Sequence, residues 1–348
     1  MPLTSGYLLI AVAASFFFLN IFIFLKWQQL NKFILRLIAV TVAYLLLLAG
    51  SGIYLNDNFG FYNSWSELFG ITNSKQEVTI PTAINLSNAK FTENGSAIIE
   101  KKFTGKASGI TASVWYLIPK SIVNSIKENQ NQKFPVAMFL SGSPGVPTAW
   151  LNGLKLDAQI KEAKTTSALQ DFISVLPDYN IQAHVDTGCM NIPDGVQVED
   201  WLAKDVYEYT IDNLPAKRSN WAITGYSTGG WCSTMLALKH PEIFKAAAPI
   251  ASYYKADLNF VLSKDARKKL AEEYDLVNLS NARSKPLDLF LITSKGDSSS
   301  YSNTNWFYNK IGAGHNVELL TLSSGGHNFT TWKPIILDVL KWYAIEIA

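Results

Sequence analysis

Ser227 sits in Gly225-Tyr226-Ser227-Thr228-Gly229, a G-x-S-x-G spacing that places small residues around a hydroxyl nucleophile. A serine hydroxyl is a poor nucleophile near neutral pH. Acyl transfer to it needs a base to remove its proton and a carboxylate to orient that base. The motif alone is weak evidence, because a glycine-rich helix entry with an ordinary cap serine reads the same way. Its context adds weight: the apolar run Trp221 to Thr224 precedes it and a helical segment ending near His240 follows, as a sharp strand-to-helix turn requires.

Four histidines compete for the role of base: His184, His240, His315 and His327. His327 is favoured, since Ser323-Ser324-Gly325-Gly326-His327 follows the last strand and precedes the final helix, where a loop can bring imidazole to the carboxyl edge of a sheet. His240 ends the helix that begins at Ser227, where a cationic ring complements the helix dipole. His315 precedes its strand and so belongs to the opposite edge. His184, in the loop after the strand Phe172 to Leu176, lies on the correct edge and is a candidate for substrate contact. For the orienting acid, Asp297 follows the strand Leu287 to Thr293 in Thr293-Ser294-Lys295-Gly296-Asp297; a turn or cap aspartate is the alternative reading. An oxyanion hole needs two N–H donors. Thr228 supplies one. Ser143 in Leu140-Ser141-Gly142-Ser143-Pro144 is the candidate for the other, because Pro144 has no donor and Gly142 permits close backbone approach.

These residues require a scaffold that delivers loops to one edge. From about residue 78 the chain alternates β-rich runs with helical segments, the pattern of an α/β domain on a mostly parallel sheet with helices on both faces. Two antiparallel strands, Ala97 to Phe103 and Ala112 to Ile118, come first, followed by the buried run Phe134 to Leu140. A helical region over 147–169, the strand Phe172 to Leu176 and a helix from Val198 to Leu214 lead to the Ser227 turn. Strands Ala247 to Ile250, Leu287 to Thr293 and Val317 to Leu322 follow, and a helix over Trp332 to Ile347 closes the chain.

The chain order Ser227, Asp297, His327 is the nucleophile, acid, base order of α/β-hydrolases. The sequence resembles the esterase D family of that fold, which includes enterochelin esterases, feruloyl esterases and mycolyltransferases. The resemblance covers roughly 78–348 and rests on Gly225-Tyr226-Ser227-Thr228-Gly229-Gly230, on Phe139-Leu140-Ser141-Gly142 followed by Trp150, and on Gly326-His327-Asn328-Phe329 followed by Trp332. It implies an α/β-hydrolase fold and an acyl-enzyme formed by a Ser, Asp, His triad, with no cofactor. No residue is assigned to a metal. An aspartate at the acid position fits ordinary esterases at least as well as mycolyltransferases, so the mycolyl activity is not transferred. Trp150, Trp201, Trp231, Trp306 and Trp332 are candidates for a lipid or sugar cleft, with buried core the competing role for most of them.

The first 55 residues are a different material. Their only charged side chains are Lys26, Lys32 and Arg36, and two uncharged apolar runs, Tyr7 to Leu25 and Leu37 to Leu55, are 19 residues each. That is close to the ~20 residues needed to cross a hydrocarbon core as helix. The three basic residues lie between or beside the runs, so the positive-inside rule keeps the connection in the cytoplasm and both outer ends outside. The expected organisation is two transmembrane helices in 1–56, an extracytoplasmic tether over 57–77 and a catalytic domain over 78–348. A signal peptide is the alternative for the first run, which lacks a basic leader, and a cut near Ala49-Gly50-Ser51 is a second alternative. Either alternative leaves the large domain outside. There an oxidising setting would let Cys189 and Cys232 form a disulfide, against the alternative of two separate thiols.

A net charge of +2 and a pI near 8.3, without a basic stripe interleaved with aromatics, set nucleic-acid binding aside. The expected function is a membrane-anchored, extracytoplasmic serine esterase or acyltransferase, with its substrate tilted toward envelope lipids or glycans. A catalytically silent hydrolase fold used for binding or scaffolding is the alternative; labelling by a fluorophosphonate separates the two.

Overall fold

The computed structural model describes residues 6–30, 32–59, 62, 65–69, 84, 86, 89–128, 130–181, 185–258, 261 and 263–346. The chain divides into two compact units, Met1–Ser74 and Lys75–Ala348.

In the first unit, α1 (Gly6–Lys26) and α2 (Phe33–Phe59) form a helical hairpin. Both are long and apolar enough to cross a membrane. Their large apolar side chains, Phe17, Phe18, Phe22, Leu45 and Leu48 among them, point outward instead of into a core, the reverse of a water-soluble helix pair. Arg36 closes the connection by donating through Nε to the carbonyl of Leu30 (2.7 Å) and lying over the Trp27 ring. The second helix runs past residue 55, so the first residues of the expected tether, 57–59, are helical, and a short helix, Trp65–Leu68, follows. The remainder of the tether, apart from residues 62 and 69, lies outside the described residues, as does the start of the catalytic region at residue 78.

The second unit is an eight-stranded sheet of β1 (Ser96–Thr104), β2 (Thr111–Pro119), β3 (Val136–Leu140), β4 (Ile173–Pro177), β5 (Trp221–Tyr226), β6 (Phe244–Ile250), β7 (Asp288–Ser294) and β8 (Asn316–Leu322), in the order β1-β2-β4-β3-β5-β6-β7-β8. The first two strands pair antiparallel to their neighbours, and every pairing from β4 to β8 is parallel. Parallel strands are buried on both faces, which explains the unbroken apolar run in β3. Val136, Met138 and Leu140 enter one core, while Ala137 and Phe139 enter the other. Burying a side chain such as Phe139 contributes roughly 2–3 kcal/mol.

Two helical expectations are corrected. The region 147–169 is not one helix: it breaks into Ala149–Asn152 and Leu156–Thr166, with Lys155 in the left-handed region at φ 55° between them. The final helix begins at Ile335, because Pro334 cannot continue the preceding turn, Phe329–Trp332. The helix of 198–213 contains a wider π segment, Trp201–Val206. From it the Asp205 carboxylate accepts from the N–H groups of Ala107 (2.8 Å) and Ser108 (2.9 Å), pinning the β1–β2 turn.

The register of the parallel strands is what assembles a site. Leu140 is level with Gly225, Tyr226 with Ile250, Ile250 with Ile292, and Ser294 with Leu322. The loops leaving β3, β5, β7 and β8 therefore start at one height along the same edge, the place where ligands bind in sheets of this kind.

Candidate active site

Ser227 occupies the turn between β5 and the helix Thr228–Lys239, at φ 57° and ψ −124°. This positive-φ conformation is uncommon for a residue with a side chain and recurs where a functional group must be presented. It is held by the Ser227 N–H donating to the Ile250 carbonyl (2.9 Å), and by Gly230 N–H donating to the Ser227 carbonyl (2.9 Å). The flanking glycines are steric necessities. A Cβ on Gly225 would lie 2.1 Å from the Gly229 carbonyl oxygen, and one on Gly229 would lie 2.4 Å from the carbonyl oxygens of Leu140 and Ser141.

His327 comes from the loop after β8. Its Nε2 is 2.9 Å from Ser227 Oγ and its Nδ1 is 2.6 Å from Asp297 Oδ2. An ionised carboxylate only accepts, so Nδ1 carries the ring proton and Nε2 is free to accept from the serine hydroxyl. The ring stands edge-on to Trp332, 4.7 Å between centroids. Asp297 makes two contacts: Oδ1 caps the helix Ser298–Tyr308 by accepting from Ser300 N–H (3.3 Å), while Oδ2 faces the histidine. The cap thereby fixes the carboxylate plane. The acid and histidine loops interlock where Gly296 faces Gly325, since a Cβ on Gly296 would meet the Gly325 carbonyl oxygen at 2.6 Å. Ser294 Oγ also donates to that carbonyl (2.6 Å).

The loop after β3 closes over the nucleophile. A Cβ on Gly142 would lie 3.0 Å from the Tyr226 ring and 3.2 Å from Ser227 Cβ. Among the described residues no acceptor takes the N–H of Ser143 or of Thr228, leaving both as candidate donors to an oxyanion. Two residues that the sequence reading passed over hold this loop in place. Tyr179 donates its hydroxyl to the Ser141 carbonyl, and Asn180 Nδ2 donates to the carbonyls of Gly142 (3.1 Å) and Gly145 (2.6 Å). Their signal was position, directly after β4 at the carboxyl edge. Burial drives the Tyr179 phenol well above its ordinary pKa, so it stays a donor.

Asp186 was also passed over. Its Oδ2 accepts from the Thr228 hydroxyl (2.6 Å) and its Oδ1 from Gly188 N–H (2.9 Å). Burial pushes its carboxyl above the usual aspartate range, against the two hydrogen bonds. Cys189 and Cys232 are joined as a disulfide that ties the loop carrying Asp186 to the nucleophile helix.

The remaining candidates fall elsewhere. His240 caps the nucleophile helix and its Nε2 donates to Glu199 (2.9 Å). His315, at the opposite edge, accepts from Leu287 N–H and donates from Nε2 to the Ser280 carbonyl (2.8 Å). His184 lies outside the described residues. Trp150, Trp201, Trp231 and Trp332 are buried, and Trp150 and Trp332 pack on Tyr226 beneath the site. Trp201 packs on Phe103 and Trp231 on Tyr253.

Fold and site together define a serine hydrolase of the α/β-hydrolase class. Residues 193–344, the stretch that contains Ser227, Asp297 and His327, match the prolyl oligopeptidase family. An uncharacterized protein of Corynebacterium glutamicum is 22% identical over 294 residues, spanning 76% of this chain and 68% of that one. Among solved structures, an S-formylglutathione hydrolase from Agrobacterium tumefaciens superposes with a TM-score of 0.63 at 17% identity, covering 76% of this chain and 100% of the other. A ferulic acid esterase gives 0.60 at 15% identity, covering 73% and 99%. These likenesses bear out the α/β-hydrolase fold that the resemblance to the esterase D family implies, and at such identity it is the fold alone that is shared.

Proposed function

We propose that the chain is a membrane-anchored serine esterase or acyltransferase that acts outside the cytoplasm on carboxylic esters, with lipids or glycans of the cell envelope as its substrates. The observation that carries the reading is the relay from Ser227 Oγ through His327 to Asp297, at 2.9 and 2.6 Å. His327 Nε2 takes the Ser227 proton as Oγ attacks the ester carbonyl. The Thr228 and Ser143 N–H groups receive the oxyanion, and the imidazolium returns the proton to the departing alcohol. Water or an acceptor hydroxyl then enters by the same route in reverse and releases the acyl group from Ser227. Asp297 stabilises the imidazolium and holds the ring in the required tautomer.

The anchor and the outside location are supported by the two apolar helices with outward-facing side chains and by the basic residues that flank their connection. A disulfide in the same chain agrees with an oxidising compartment. Labelling of the detergent-solubilised protein with a fluorophosphonate tests the chemistry. Wild type is expected to label, and Ser227→Ala is expected not to. Folded wild type that resists the probe would refute the proposal in favour of a binding or scaffolding role.

A further inference from the structure

The residue after the nucleophile is a threonine whose hydroxyl is committed to Asp186 (2.6 Å). The carboxylate sits in a network of contacts. Gly188 N–H donates to its other oxygen, Trp231 Nε1 donates to the Gly188 carbonyl (2.9 Å), and Cys189 is bonded to Cys232 on the nucleophile helix. Tyr253 is stacked on Trp231 with centroids 5.5 Å apart, and its phenol is near enough to Asp186 for the carboxylate to add to the burial that raises its pKa. Asp257 adds a second negative charge close enough to raise Asp186 further. Asp186 itself is only half-buried.

A carboxylate in this position works against ordinary ester hydrolysis. The Thr228 N–H is a candidate oxyanion donor, and an anion built onto the same residue raises the energy of the negative charge that develops there. An asparagine would supply the same acceptor for the Thr228 hydroxyl without that penalty. The negative charge is useful only with a substrate that brings a compensating positive charge, and a carboxylate beside an aromatic ring is the pair of groups that recognises an ammonium ion. We infer that Asp186, with the ring of Tyr253, is a specificity determinant selecting esters that carry an ammonium group near the scissile bond. The inference rests on the serine-hydrolase reading of Ser227.

The test uses the full-length protein in detergent and two phosphonofluoridates of equal shape, one ending in trimethylammonium and the other in tert-butyl. Wild type is expected to label at Ser227 at least tenfold faster with the cationic probe. In Asp186→Asn the cationic probe should slow by about tenfold while the neutral one quickens, erasing the preference. Choline and 3,3-dimethylbutanol, tested as protectants of wild type against a neutral fluorophosphonate, give a readout that needs no variant, and choline should protect at the lower concentration. Equal labelling by the two probes with equal protection would overturn the inference while leaving the hydrolase reading intact, as would a variant that slows both probes alike, which marks a purely structural aspartate. Wild type that labels with neither probe would overturn the hydrolase reading itself, and this inference with it.

Discussion

Replacing Asp297 by asparagine isolates what the charge does, because asparagine preserves the shape and the cap on Ser300. During attack His327 becomes an imidazolium beside the carboxylate, with Nδ1 and Oδ2 2.6 Å apart. Unit charges centred about 4 Å apart interact by about 4 kcal/mol at an effective dielectric near 20. The His327 side chain is 40% exposed and Asp297 only 9%. Solvent screening on the histidine side therefore trims the value to about 3 kcal/mol, roughly 10²-fold in rate. An amide that turns its NH2 toward Nδ1 also selects the tautomer with its proton on Nε2, where it blocks acceptance from Ser227, adding roughly another order of magnitude. The expected outcome for Asp297→Asn is a fall of about 10³-fold in the rate of Ser227 labelling by a neutral fluorophosphonate and in kcat for p-nitrophenyl acetate, with stability unchanged. Asp297→Ala, which has no amide to select the wrong tautomer, should lose about 10²-fold and also destabilise by about 1 kcal/mol through the lost cap, read from urea titrations. Asparagine activity within tenfold of wild type would refute the assignment of Asp297 as the orienting acid.

Glu199 gives a pH signature. Burial pushes its carboxyl up, but hydrogen bonds from His240, Lys239 and Tyr274 outweigh burial and hold it at about 2, against an ordinary 4.5. A folded pKa below the unfolded one stabilises above about pH 4.5, and that stability is lost as pH falls toward 2, roughly 3 kcal/mol in all. Glu199→Gln should lose about that much at neutral pH and show a flatter acid limb in urea midpoints against pH; curves parallel to wild type would contradict this. Asn180→Ala frees the carbonyls of Gly142 and Gly145 and loosens the loop bearing Ser143. With one oxyanion donor misplaced, kcat should drop by about 10²-fold with little change in KM, and an unchanged kcat would remove Asn180 from the site. Cutting the Cys189–Cys232 bond opens a loop with a sequence separation of 43, a loss of up to about 4 kcal/mol on chain-entropy grounds. Melting the Cys189→Ala, Cys232→Ala double variant beside wild type, with and without reductant, checks this, since reductant should shift only wild type.

Local pattern carried a large part of this protein. Apolar runs located all eight strands to within a few residues: β3, β4 and β5 are buried on both faces and largely apolar, whereas β1 and the edge strand β8 are partly exposed and mix apolar with polar residues. Two charge-poor stretches near the amino terminus marked α1 and α2. Ser227, Asp297 and His327 were legible because each is tied to the end of a strand, and strand ends in a parallel sheet share one edge. The break at Pro334 carried its own signal, a proline inside a helical pattern, whereas the left-handed Lys155 was less legible, since lysine is an ordinary helix former.

What tertiary structure alone decided is the set of contacts between loops. Tyr179 and Asn180 grip the loop after β3 across 38 and 35 residues of sequence, and Asp186 reaches Thr228 across 42. Loops have no periodicity to read, and a hydrogen bond between two of them depends on the register of the strands that feed them. The amino-acid sequence therefore determined which groups could react. Strand register, glycine clearances of a few ångströms and the Asp297 cap decided that Ser227, His327 and Asp297 meet within hydrogen-bonding distance, and that a carboxylate stands beside them.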